Sequence, residues 1–101
     1  MVMNTEFDII RICDGIKDML IQKNMSYGDS ALNPIRVMST ASTIEQILVR
    51  IDDKLNRIRQ GRNLLCDDED VIVDLIGYFI LLKIAVERDT QNAYNDPNPT
   101  V

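Results

Sequence analysis

The sequence predicts an all-α protein: a small helical bundle built on an antiparallel helix hairpin. Three observations carry this prediction. Apolar residues recur at helical spacing in three separate segments. The starts of the first two segments carry helix-capping patterns. Gly, Asn and Pro mark the joins between segments.

Helix one is predicted from Glu6 to Lys23, with Thr5 and Asp8 as its capping pair. Ile9, Ile10, Cys13, Ile16, Leu20 and Ile21 recur at helical spacing. Gly15 either weakens this helix by roughly 1 kcal/mol relative to alanine or admits a close neighbour. The stretch KNMSYGDSALNP, Lys23 to Pro34, follows as a loop. Asn33-Pro34 then reads as a cap with proline at the first helical position, which predicts a short helical turn from Pro34 to Met38.

Helix two is predicted from Thr43 to Gln60. Ser42 and Glu45 form a capping box, and Gly61 is the stop. Ile44, Ile47, Leu48, Ile51, Leu55 and Ile58 make one apolar face. Helix three is predicted from Asp68 to Glu87, behind the acidic run Asp67-Asp68-Glu69-Asp70, whose charges suit the positive pole of a helix. Between Val71 and Val86 only Asp74, Gly77, Tyr78 and Lys83 interrupt apolar residues. A helix apolar nearly all round is buried on most sides, more than two short partners can cover, so a homo-oligomer, at least a dimer, is expected. Residues 1–88 form one helical domain in this reading, and the polar stretch from Asp89 to Val101 is a flexible tail.

Composition narrows the function classes. The chain has 101 residues, is 46 % hydrophobic and carries a net charge of −5. That is one domain with material for a core, and an acidic balance that opposes binding long DNA or RNA. A small phosphate ligand held by a few local basic residues remains compatible. No apolar run is long enough to span a bilayer, so no membrane partner is expected. Cys13 and Cys66 read as packed free thiols in a reducing cytosol, and no secretory signal is apparent. No histidine occurs, which removes Ser/His/Asp and Cys/His catalytic arrangements and the usual zinc sites. No catalytic residue and no resident metal are assigned.

Two charged stripes are predicted to face each other. Arg50, Lys54 and Arg57 share one flank of helix two, and Asp67, Asp70, Asp74 and Tyr78 share one side of helix three. Folding the hairpin through Gly61-Arg62-Asn63 sets Arg57 against Asp70, Lys54 against Asp74 and Arg50 against Tyr78. Asp74 lies inside an apolar helix, so it needs a partner: a base, a tyrosine hydroxyl, a metal or a ligand. Such stripes also serve as plain interhelical ion-pair ladders.

The loop has two readings. Tyr27-Gly28-Asp29-Ser30 makes either a tight turn or a small-molecule clamp. In the clamp Lys23 meets a phosphate, Tyr27 stacks on a base, Gly28 lets the chain turn closely, and Ser30 with backbone N–H groups satisfies oxygens. The candidate ligand set is Lys23, Asn24, Tyr27, Gly28, Ser30, Arg50, Lys54 and Arg57. Met19, Met25 and Met38 read as core filler.

The order KNxxYGDSALNP, ILVRIDDKLNRI, DDEDVIVDLIGY resembles a family of small all-helical phage and prophage proteins similar to the nucleotide modification associated domain group. The similarity runs from Ile21 to Ala85 and implies an intracellular setting in a bacterial host. The group is distantly like the all-alpha NTP pyrophosphatases of the MazG type, which hold Mg²⁺ with ExxE and ExxD acid pairs. Here Asp52 and Asp53 stand side by side and no ExxD occurs.

The function expected is nucleotide binding without turnover, in one form a sponge that sequesters a nucleotide signal of bacterial anti-phage defence. One alternative is a Mg²⁺-dependent MazG-like pyrophosphohydrolase with Asp53, Glu69, Asp70 and Asp74 as metal ligands. Another is an inhibitor that binds a host defence complex through its acidic surface.

Overall fold

The computed structural model describes residues 4–61, 65–66 and 69–94. It is all-α, with three helices among these residues: α1 (Thr5–Ser26), α2 (Thr43–Arg59) and α3 (Val71–Tyr94). A minimal antiparallel ladder, β1 (Leu65–Cys66) on β2 (Glu69–Asp70), precedes α3.

α1 starts at Thr5, its predicted cap, one residue earlier than expected. Thr5 is already helical, and Asn4 is the capping residue: its side-chain Oδ1 accepts from the Phe7 N–H at 3.1 Å. Asn caps at least as well as Thr, which accounts for the shift. The helix runs past Lys23 to Ser26 and is closed by the Tyr27 N–H donating to the Lys23 carbonyl at 2.9 Å. Gly28 and Asp29 then take left-handed backbone at φ 63° and 62°, which ends the helix.

The helical turn expected from Pro34 to Met38 does not form; residues 34–36 have no regular structure. Asn33, the predicted cap, donates its side-chain amide to the Asp29 carboxylate instead. Arg36 ties the segment forward, donating to the Ala41 carbonyl at 3.2 Å and to Thr43 Oγ1 at 3.1 Å. α2 begins where its capping box predicts: Ser42 Oγ accepts from the Glu45 N–H at 3.1 Å. It ends at Arg59, one residue short of the Gln60 expected, with Gln60 as its cap and Gly61 beyond it at φ 82°.

α3 differs from expectation at both ends. Glu69-Asp70 belong to the ladder, and the helix starts at Val71, with Asp70 Oδ1 accepting from the Val73 N–H at 3.0 Å. At the other end the helix continues to Tyr94, past the Glu87 expected. Thr90 returns its hydroxyl to the Val86 carbonyl at 2.9 Å there. Arg62, Asn63, Asp67 and residues 95–101, which the hairpin turn, the acidic stripe and the tail prediction involve, lie outside the described residues.

The core sits between α2 and α3. Ile47, Ile51 and Ala85 are buried, with Leu32, Ile44, Leu48, Leu75, Tyr78, Leu81 and Leu82 packed around them. α1 crosses α3 at Gly77, where an added Cβ would stand 3.2 Å from Leu20 Cδ2. Nothing lies within 4 Å of the corresponding point on Gly15, so the close approach belongs to Gly77. Cys13, expected to be packed, is exposed. Leu55 and Ile58 are exposed as well, so the buried face of α2 is confined to its first half. Among the described residues five apolar side chains are buried and eighteen large ones are exposed, a surplus of open apolar surface for a monomer.

Candidate functional site

The geometry of α1, α2 and α3 leaves a cavity of about 450 Å³ at the C-terminal end of α1, a size typical of small-molecule sites. Four elements line it. α1 contributes Met19, Leu20, Lys23 and Asn24; the following turn adds Tyr27, Ser30 and Ala31; α2 supplies Arg50; α3 supplies Asp74, Gly77, Tyr78 and Leu81. The apolar residues come from positions that also build the helix contacts, while the polar groups cluster at the end of α1, its turn and the facing flanks of α2 and α3.

The turn is built to hold its side chains in place. The Asp29 N–H donates to the Asn24 carbonyl at 3.0 Å, and the Asn33 N–H donates to the Asp29 carbonyl at 2.9 Å. Within this frame Tyr27 is 70 % exposed, which leaves its ring open to a stacking partner.

Asp74 has the partner its burial demands. Lys54 Nζ stands 3.0 Å from Asp74 Oδ2, with the two side chains only 14 % and 22 % exposed. The register predicted for the hairpin is therefore realised at this pair, and the cost of holding a carboxylate inside the bundle is offset. Lys23 and Arg50 make no ion pair among the described residues. With the Asp74 charge met by Lys54, these two cations leave the cavity locally positive in an acidic protein.

Five of the eight predicted ligand residues, Lys23, Asn24, Tyr27, Ser30 and Arg50, line the cavity. Gly28 sits in the turn without lining it and serves the backbone reversal. Lys54 is engaged with Asp74 and is not part of the lining. Arg57 lies elsewhere, in a shallow polar groove with Asp53, Asn56 and Gln60.

The acids proposed for Mg²⁺ are dispersed in role: Asp53 in that groove, Glu69 in β2, Asp70 as the cap of α3, and Asp74 on Lys54. Among the described residues no three His, Cys, Asp or Glu side chains gather into a group that could hold a metal ion.

The sequence reading missed Leu20, Gly77 and Leu81 as cavity walls and took Met19 for core filler. Gly77 was the available signal: a glycine in an apolar helix marks a close approach.

Comparison with protein-family models, with curated proteins and with solved structures finds no match to this chain. No helix among the described residues is long and apolar enough to cross a membrane. Function is therefore read from the cavity itself.

Proposed function

We propose that this protein binds a nucleotide-type ligand in the cavity and does not turn it over. The observation that carries the reading is the convergence of Lys23 and Arg50, from two different helices, on one cavity that also holds an exposed tyrosine ring. Phosphate oxygens suit the two cations, and a base suits the face of Tyr27. Asn24 and Ser30 supply further hydrogen bonds, and Met19, Leu20 and Leu81 offer an apolar floor. Asp74, the one carboxylate among the cavity's described residues, is already engaged by Lys54, and the chain has no histidine to act as a base, which favours holding over hydrolysis. In its biological form this is a phage-type sponge that sequesters a nucleotide signal of bacterial anti-phage defence, in the cytoplasm of the host.

The test is mass spectrometry of small molecules released by heat from the purified protein, together with incubation of the protein with nucleoside triphosphates and Mg²⁺. An intact nucleotide released in near-stoichiometric amount, with no triphosphate consumed, is the expected result. A clean protein that consumes triphosphates overturns it in favour of the pyrophosphohydrolase.

A further inference from the structure

α3 carries three apolar rows, and the described residues cover only two of them. Leu75, Tyr78, Leu82 and Ala85 step by three, four and three residues and pack with Ile47 and Ile51 of α2. Val71, one four-residue step earlier, is buried too. A second side of α3, at Gly77, receives α1 through Leu20. The third row is Ile72, Ile76, Phe79, Lys83 and Val86, stepping by four, three, four and three residues. It is open: its four apolar members are between 38 % and 53 % exposed. Each member follows a residue of the α2-facing row by one position, so this row lies about 100° round the helix from it. The same step pattern that takes α2 on one side is thus repeated, unoccupied, on the next. That pattern is the spacing of knobs-into-holes packing, which takes a helix.

We infer that the occupant is α3 of a second copy, packed antiparallel about a twofold axis near Phe79. Under that operation the row meets itself, with Ile76 and Lys83, three and four residues from Phe79, falling across from each other. Ile72 and Val86 are equally far from Phe79, so Ile72 falls opposite Val86 of the partner subunit and Phe79 opposite Phe79 of the partner subunit. The single charge in the row selects the direction. A parallel pair would set Lys83 against Lys83 of the partner subunit. In the antiparallel pair the two lysines separate, and each Nζ is held by Glu87 of its own chain at 3.3 Å. No member of the row is left needing an opposite charge from an unlike protein. A lipid surface is disfavoured, since Glu87 and Asp89 accompany Lys83 and Arg88 in a chain of net charge −5.

The seam and the cavity occupy opposite sides of α3. Asp74, Gly77, Tyr78 and Leu81, which face the cavity, are centred about 180° from the open row. Association therefore leaves the cavity accessible, and the inference does not depend on what the cavity binds.

Sedimentation equilibrium and light scattering on the full chain at micromolar concentration test this. A dimer of the 11.5 kDa chain is expected, and the double variant Ile76→Glu, Phe79→Glu should be monomeric with unchanged helical circular dichroism. Should that variant fail to fold, Lys83→Leu decides: removing the one polar residue of the seam should tighten the dimer by about tenfold or more. A wild-type monomer, whether or not it captures another protein or a lipid vesicle, overturns the inference. So does a dimer insensitive to both the double variant and Lys83→Leu.

Discussion

The α2–α3 hairpin and the α1 helix with its turn are held by different means. In the hairpin, Ile47 and Ile51 are buried and Lys54 closes on Asp74 across the interface. α1 is 22 residues long, yet Ile16 is its only fully buried residue, and its contact with α3 is made near Gly77. The cavity draws Lys23, Asn24, Tyr27 and Ser30 from the loosely held part and Arg50, Asp74 and Tyr78 from the tightly held part. Stability and ligand contact are thus divided between regions. Changes in the hairpin core should act on folding, and changes at the end of α1 should act on binding.

The largest expected effect tests the stability side. Ile47 is 2 % exposed, so Ile47→Ala should destabilise the protein by about 2–5 kcal/mol, read by denaturant melts. A loss below 1 kcal/mol would place the core elsewhere. Asp74→Ala should cost about 1–3 kcal/mol, less than a fully buried pair because both side chains retain some exposure. It sharpens the comparison because Asp74 belongs to both regions: the same variant should also alter the cavity.

Next comes the binding side. Lys23→Ala should weaken nucleotide binding by about tenfold or more, since a charge-assisted contact contributes roughly 1.5–3 kcal/mol. Its melting temperature should stay at the wild-type value, because Lys23 is exposed and has no ion-pair partner among the described residues. A fall in stability with unchanged affinity would erase the division. The smallest effect is on the α1 backbone alone. Gly15→Ala should stabilise by about 1 kcal/mol, since helix propensity improves and the added Cβ meets open space. Thermal melting checks the sign.

The same division governs what could be read in the sequence. Local rules placed the Ser42–Glu45 cap and the Gly61 stop, and the roughly constant index sum of an antiparallel helix pair set Lys54 against Asp74. Other pairings were not legible. Glu69-Asp70 look like the start of a helix, but they pair with Leu65-Cys66 in a local ladder that helix-start rules do not anticipate. Asn33 has the composition of a cap, but its amide is taken by Asp29. Cys13 falls at helical spacing with Ile9 and Ile16, yet it is exposed. In the cavity, the polar groups were legible because Lys, Arg and Tyr near a glycine turn stand out. The walls were not, since Met19, Leu20 and Leu81 have the spacing of ordinary core.

The central claim is that Lys23 of α1 and Arg50 of α2 act on one ligand. Calorimetric titration of the wild type, Tyr27→Ala and Arg50→Ala with nucleoside triphosphates and cyclic dinucleotides, beside their melting curves, tests it most directly. The account predicts saturable binding of at least one of these nucleotides, weakened about tenfold or more in both variants at unchanged melting temperature. Equal affinity in well-folded Tyr27→Ala and Arg50→Ala, or no nucleotide bound by the wild type, would contradict it.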